Sequence, residues 1–278
     1  MEKETKVLIF DVQRGSAVDG PGVRTAVFFK GCNLRCTWCH NPESQSLAPE
    51  LMVWKQKCTG CGKCKMRCPH ALASCDACGK CTLPCPADAR RIAGKEQSVS
   101  KIMETVLRDR PYYGTEGGVT FSGGECMLQI DALAALLSEC HAHGIHTAVD
   151  TAGHVPWESF ERILPVTDLF LYDVKCADAA LHRRATGVDN HHILENLARL
   201  SSRARVLVRI PVIPTVNADE AEMRAIAALL SPLPLVGVEL LPYHRMGEAK
   251  YEALNRTPTV FDVPSADEMA RFRALFGK

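Results

Sequence analysis

The run Thr25-Ala26-Val27-Phe28-Phe29-Lys30-Gly31-Cys32-Asn33-Leu34-Arg35-Cys36-Thr37-Trp38-Cys39 carries an apolar, β-prone stretch straight into three closely spaced cysteines. A short continuous apolar run suits a strand buried on both faces of a parallel sheet. Five more such runs follow, at Val119–Phe121, Thr147–Val149, Leu169–Tyr172, Val206–Ile210 and Val236–Leu241. Helical stretches lie between them. Val99, Ile102, Met103, Val106 and Leu107 fall on one face, as do Ile130, Leu133, Ala134 and Leu137, and later Met223, Ile226, Ala227 and Leu230. Asn217 with Glu220, and Ser265 with Glu268, read as capping boxes that open helices. Six alternations of strand and helix predict an α/β fold built of βα repeats. A partial (β/α)6 barrel and a doubly wound open sheet both give this pattern.

In either fold, active residues collect at the carboxyl ends of the strands. Ser122-Gly123-Gly124-Glu125 follows one apolar run, Asp150-Thr151 the next, and Asp173-Val174-Lys175 the one after. Arg209 sits near the end of its strand and His244 just beyond the last. Polar turns end many strands, but five together point to a convergent polar site.

The chain has 278 residues, with 46% hydrophobic and 23% charged, which excludes intrinsic disorder as its main state. A net charge of +1 argues against nucleic acid as the main partner. The first residues resemble no signal peptide and no run is long enough to span a membrane, so a cytoplasmic location is expected. There the 14 cysteines are read as metal ligands rather than disulfides.

Eleven of the cysteines lie between Cys32 and Cys85. Cys32, Cys36 and Cys39 offer three thiolates to a four-iron cubane, leaving one iron open for substrate. A structural zinc with His40 as fourth ligand is the alternative. The other eight form two copies of Cys-x2-Cys-x2-Cys-x3-Cys-Pro, at Cys58, Cys61, Cys64, Cys68 and at Cys75, Cys78, Cys81, Cys85. This is the spacing of a bacterial ferredoxin, in which the fourth cysteine of each run ligates the other cluster. Cys58, Cys61, Cys64 and Cys85 then hold one cubane, and Cys75, Cys78, Cys81 and Cys68 the other. The repeat divides the chain into a barrel (1–54 and 96–278) and a ferredoxin-like insert (55–95). Cys126 and Cys140 read as packing, Cys176 has no evident role, and His141, His143 and His146 read as a solvated helix end.

The Cys32/Cys36/Cys39 spacing resembles the signature of radical S-adenosylmethionine (SAM) enzymes. Asp19-Gly20-Pro21-Gly22-Val23-Arg24, the cysteine run continued through His40-Asn41-Pro42, and Gly117 to Glu125 resemble the glycyl radical enzyme activating family more closely. So do Asp150-Thr151-Ala152-Gly153, Tyr172 to Lys175 and Leu241-Pro242-Tyr243-His244. Proline is commoner in that family where Cys126 stands. The insert occurs in many members but not in the pyruvate formate-lyase activator, which weighs against that partner.

The resemblance implies a partial (β/α)6 barrel and an oxidoreductase that cleaves SAM reductively and takes a hydrogen atom from a glycine of a glycyl radical enzyme. It implies three [4Fe–4S] clusters, one binding SAM and two auxiliary. Gly123, Gly124 and Glu125 are expected at the methionine part, with Glu125 accepting from its ammonium. Lys175 and Arg209 are expected near its carboxylate. Trp38, His40 and Asn41 are expected near the adenine, with Val174 and His244 also at SAM. Asp150, Thr151 and Asp173 match positions for a monovalent cation. Asp19, Gly20, Pro21, Gly22 and Arg24 are expected to receive the partner's glycine loop. Flavodoxin or ferredoxin is the implied electron donor, and a monomer the expected state. A radical SAM enzyme acting on another peptide or small molecule, and a non-catalytic iron–sulfur electron carrier, are the competing readings.

Overall fold

A computed structural model describes residues 4–277, so Met1–Lys3 of the leader reading lie outside it. Among the described residues there are ten strands: β1 (Lys6–Ser16), β2 (Arg24–Phe29), β3 (Glu50–Val53), β4 (Arg90–Ala93), β5 (Lys95–Ser98), β6 (Gly118–Gly123), β7 (His146–Thr151), β8 (Leu169–Asp173), β9 (Val206–Val212) and β10 (Gly237–Pro242). The helices are α1 (Lys63–Arg67), α2 (Val99–Asp109), α3 (Ile130–Ala142), α4 (Trp157–Ile163), α5 (Ala179–Thr186), α6 (His191–Ser201), α7 (Glu220–Leu230), α8 (Glu248–Ala253) and α9 (Ala266–Arg273).

The main sheet runs β10-β9-β8-β7-β6-β2-β1-β5. β2 and β6 through β10 pair in parallel. They are the six apolar runs of the sequence. Their sequential order, with no reversal, is that of a barrel wound in one direction and not of a doubly wound sheet. β1 and β5 extend it as antiparallel strands, so the barrel stays open.

Strand pleating sorts the two faces. Val119, Phe121, Val149, Phe170 and Tyr172 face outward into one core with Leu133, Leu136 and Leu137 of α3 and Leu197 of α6. Each leucine so buried contributes roughly 2 kcal/mol. Ala148, Leu169 and Leu171 form a small apolar cluster inside the barrel. The alternate positions toward the carboxyl ends are Ser122, Asp150, Asp173 and Arg209, so the same pleat that buries the core aims these polar side chains inward.

Ser265 and Glu268 form the expected capping box on α9. The other differs: Asp219 caps α7, accepting from Ala221 N and Glu222 N. Asn217 is instead fully buried and donates to Lys175 O (2.7 Å) and Pro211 O (2.6 Å). Its amide ties the loop after β9 to the backbone of a site residue.

β3 and β4 form a separate antiparallel ribbon, pairing Glu50 with Ala93 and Val53 with Arg90. The eight-cysteine segment hangs from this ribbon. Among the described residues no helix is long and apolar enough to cross a membrane.

Candidate functional site

The cysteine loop leaves the carboxyl end of β2 and folds back so that Gly31 N donates to Ser44 O at 2.6 Å. The turn after β6 lies directly on it. Gly124 N donates to Phe29 O (2.9 Å) and Glu125 N to Gly31 O (2.8 Å). Gly123 has φ +121°, and a Cβ there would fall 2.3 Å from Phe29 O. At Gly124 a Cβ would fall 2.2 Å from Gly31 O and 3.1 Å from the Cβ of Cys32. The close approach expected of the methionine part of SAM is thus made here by the cysteine loop itself.

Cys32, Cys36 and Cys39 are free thiols, as is every cysteine described. Burial pushes Cys32 and Cys36 up to about 12 and Cys39 up to about 11, while Lys175 opposes. They need a strong positive centre to ionise, and an iron–sulfur core supplies one. Cys126 is fully buried, with its Sγ 3.5 Å from Phe121 O and 3.6 Å from Asp150 O, so it is packing. Three thiols and no fourth fit a cubane with one open iron. His40, the fourth ligand a zinc would need, instead stacks on His244 at 3.9 Å with its Nε2 3.0 Å from His244 O. Among the described residues no three His, Cys, Asp or Glu side chains converge tightly enough for a single metal ion.

Inside the barrel a polar row crosses the strands. Ser122 Oγ donates to Asp150 Oδ2 at 2.6 Å, and Arg209 Nη1 lies 3.5 Å from the same oxygen. Register places Arg209 between Asp173 and Glu239. Lys175 Nζ donates to Asp173 Oδ2 at 2.7 Å. Burial pushes Asp150 up to about 6, against the pull of Arg209 and with the push of Asp173. Burial acts to lower Lys175, but Asp173 and the thiols more than reverse it, so its ammonium is held charged.

Glu125 and Thr151 belong to another layer. Adjacent residues of a strand point to opposite faces, so Thr151 turns away from Asp150. Its hydroxyl donates to both oxygens of Glu125 (2.9 Å each), which also accepts from Ala152 N (3.0 Å) and Met127 N (3.2 Å). Glu125 is fully buried and pushed up to about 7 by that burial. Its carboxylate braces β6 on β7 instead of standing open for an ammonium. Val174 is likewise buried, with its N–H bonded to Arg209 O (3.0 Å).

Beyond the strand ends, Trp38 packs with Ile213, Tyr243 and Phe261 in one apolar cluster. His40 borders it, 5.5 Å from Tyr243, and burial with neighbouring His244 brings it down to about 4. Asn41 Oδ1 accepts from Lys250 Nζ (2.7 Å), which also pairs with the fully buried Glu43 (2.8 Å). Arg256 donates to Pro42 O (2.9 Å) and pairs with Glu50 (2.5 Å), whose other oxygen lies 3.0 Å from the buried Lys30. The C-terminal α8 region therefore clamps the cysteine loop from outside. Sequence reading missed Lys250 and Arg256, and gave Asn217 a capping role it does not have. No local pattern marks Lys250 or Arg256, since their hydrogen-bond partners lie 206 to 214 residues away.

The Asp19–Arg24 loop enters from the amino ends of the strands. Thr120 Oγ1 donates to Asp19 O at 2.5 Å, so the loop reaches up inside the barrel to one interior position below Ser122. Pro21 and Gly22 are exposed, while Arg24 is fully buried. Arg24 donates to Thr120 Oγ1 (2.6 Å), Val119 O (2.7 Å) and Pro21 O (3.0 Å). It holds the loop's shape and offers no surface to a partner.

In the insert, Cys68, Cys75, Cys78 and Cys81 line one cavity of about 230 Å³ with Leu72, Arg90 and Ile92. Those are the four thiols that crossed ligation groups together. Cys140 is buried against Met103, Cys176 is buried, and His141 and His143 are exposed. His146 departs from that solvated end, its Nδ1 lying 3.3 Å from Arg24.

Comparison with known proteins identifies the family. Residues 26–226 match the model of the Radical SAM superfamily. The choline trimethylamine-lyase activating enzyme of Oleidesulfovibrio alaskensis is 42% identical over 90% of this chain and 88% of its own. The trans-4-hydroxy-L-proline dehydratase activating enzyme of Clostridioides difficile is 38% identical over 97% and 95%. Among solved structures, a domain of the pyruvate-formate lyase-activating enzyme from Bacteroides vulgatus matches with a TM-score of 0.50 and 32% identity, over 58% of this chain and 92% of that one.

Proposed function

Given that the chain belongs to the Radical SAM superfamily, among the activating enzymes of glycyl radical enzymes, we propose that the loop and polar row above are its SAM site and that the insert feeds it electrons. The enzyme uses a [4Fe–4S] cluster and SAM. When bound, the cluster would supply the one electron for splitting SAM into methionine and 5′-deoxyadenosine, the latter carrying off a hydrogen atom from the partner's glycine, which would keep the unpaired electron.

The chain's own residues bind and orient. Cys32, Cys36 and Cys39 hold the cluster, and Gly123 and Gly124 let the next strand end support their loop. Lys175 and Arg209 are the cations facing SAM's carboxylate, while Trp38, His40, Asn41 and His244 form the adenine side. Asp150 and Asp173 are the carboxylates that take a monovalent cation, because the Thr151 hydroxyl is committed to Glu125. Asp19, Gly20, Pro21 and Gly22 meet the glycine loop, with Arg24 as the group that positions them. The insert (55–95) holds two fully ligated cubanes, Cys58, Cys61, Cys64 and Cys85 on one and Cys75, Cys78, Cys81 and Cys68 on the other. Full ligation leaves no open iron for SAM and suits outer-sphere electron transfer. Flavodoxin or ferredoxin is the donor, and the enzyme works in the cytoplasm as a monomer.

The observation that carries this reading is the three half-buried free thiols of Cys32, Cys36 and Cys39 on a loop held against the Gly-Gly-Glu turn. The test is anaerobic incubation of the reconstituted protein with SAM, reductant and candidate glycyl radical enzymes, read by electron paramagnetic resonance. A glycine-centred doublet with 5′-deoxyadenosine formation is expected with one candidate. No 5′-deoxyadenosine under any of these conditions would overturn the reading.

A further inference from the structure

The charge of the chain is unevenly placed. Residues 55–94, up to the start of β5, hold eight Lys and Arg against only Asp76 and Asp88, while the other 238 residues hold 25 basic against 30 acidic. Two cubanes, each of charge about −2 with its four thiolates, remove about 4 of this surplus and leave the segment positive in a chain otherwise negative. Lys55, Lys57, Lys63, Lys65, Arg67, Lys80 and Arg91 are all exposed. The segment's one described ion pair is His70 with Asp76, so among the described residues none of its lysines or arginines is neutralised by a carboxylate. Arg90 alone turns inward, to Cys81 Sγ at 3.8 Å.

Each repeat also presents one bare apolar side chain two residues after its third cysteine: Met66 (80% exposed) and Leu83 (90% exposed). An exposed large apolar side chain in a segment rich in unpaired charge is the composition of an electrostatically steered contact. Cys58, Cys61, Cys75 and Cys78 reach the surface within the same segment.

We propose that the lysine-rich surface of the insert, centred on Lys63, Lys65 and Arg67 of α1, is the docking face for an acidic electron-carrier protein. This rests on the reading of the insert as the point of electron entry. An acidic carrier is repelled by the net-negative remainder and drawn to the insert, which brings it over the cluster thiols. A nucleic acid or an anionic membrane is the less favoured occupant, because neither delivers an electron.

The test uses the cluster-loaded full chain and, as probe, a strongly acidic flavodoxin. Affinity and the second-order rate of insert-cluster reduction by flavodoxin hydroquinone are measured across ionic strengths. In Lys63→Glu/Lys65→Glu/Arg67→Glu the low-salt rate is expected to fall at least about tenfold and its salt dependence to flatten. Reduction by dithionite and affinity for SAM stay unchanged, which shows that the clusters are intact. Lys80→Glu/Arg91→Glu serves as a second variant should the first fail to load. Wild-type rate and salt slope in a loaded variant overturn the proposal. So does an equal loss in Arg271→Glu/Arg273→Glu on α9, or tighter binding of anionic vesicles or single-stranded DNA than of flavodoxin. Loss of dithionite-driven SAM cleavage in the wild type would instead count against the enzyme reading, since binding is read without turnover.

Discussion

Gly124 lies against Cys32, so close that a Cβ on the glycine would meet that of the cysteine at 3.1 Å and the carbonyl before it at 2.2 Å. Backbone cannot yield by that much without moving the loop. Gly124→Ala is therefore expected to displace Cys32 and empty one cluster site of three. Anaerobic reconstitution should fall from about twelve irons per chain to about eight, with SAM cleavage lost and the insert clusters kept. Full iron content with wild-type cleavage would contradict this packing.

Glu125 ties stability to pH. Its pKa of about 7 in the fold lies above that of the unfolded chain, so the folded state holds the proton more tightly. That contribution is complete below about pH 4 and is lost as pH rises toward 7. Asp150, raised to about 6, acts in the same direction. Anaerobic melts should show Tm falling from pH 5 to 8. Glu125→Gln should flatten the slope and cost about 1–3 kcal/mol, because its amide turns a donor toward the donors of Met127 or Ala152. An undiminished slope in that variant would refute the assignment.

Potassium is expected to tighten SAM binding through Asp150 and Asp173. Asp150→Asn should abolish the potassium effect while leaving potassium-free affinity within about threefold. Calorimetry with and without the ion tests this, and a potassium effect surviving in the variant would move the cation elsewhere.

Lys250 is the partner of the buried Glu43 and of the Asn41 side chain. Lys250→Met should cost about 1–3 kcal/mol, tempered by the partial exposure of the lysine, and raise KM for SAM more than it lowers kcat. Adding Glu43→Gln should recover stability by removing the orphaned charge. It should not recover KM, since Asn41 stays unheld.

Replacing Cys75 and Cys78 by Ala should slow turnover with a protein donor and leave SAM affinity intact. A small chemical reductant should partly restore the rate. Unchanged turnover with flavodoxin, in a variant shown to lack insert clusters, would rule out the relay.

The six parallel strands were legible because strands buried on both faces are written as apolar runs. β1 was not, since its exposure alternates irregularly, with two register shifts against β2. The thiol groups were legible by spacing alone. Direction was harder: Asp150 and Thr151 read as one motif, yet the pleat sends one into the barrel and the other to Glu125. Asn217 looked like a cap by its offset from Glu220, but the burial that gives it to Lys175 is set by tertiary packing.

The ribbon at the root of the insert makes the segment exchangeable. Val53 and Arg90 are directly paired, and Trp54 N bonds Ala89 O at 2.9 Å, so the chain leaves and returns at nearly the same point. Paired residues of antiparallel strands lie about 5 Å apart, a gap that a two-residue Asn-Gly hairpin turn closes. A lineage could thus gain, lose or swap this cassette by one splice, leaving the course of the six parallel strands as it was.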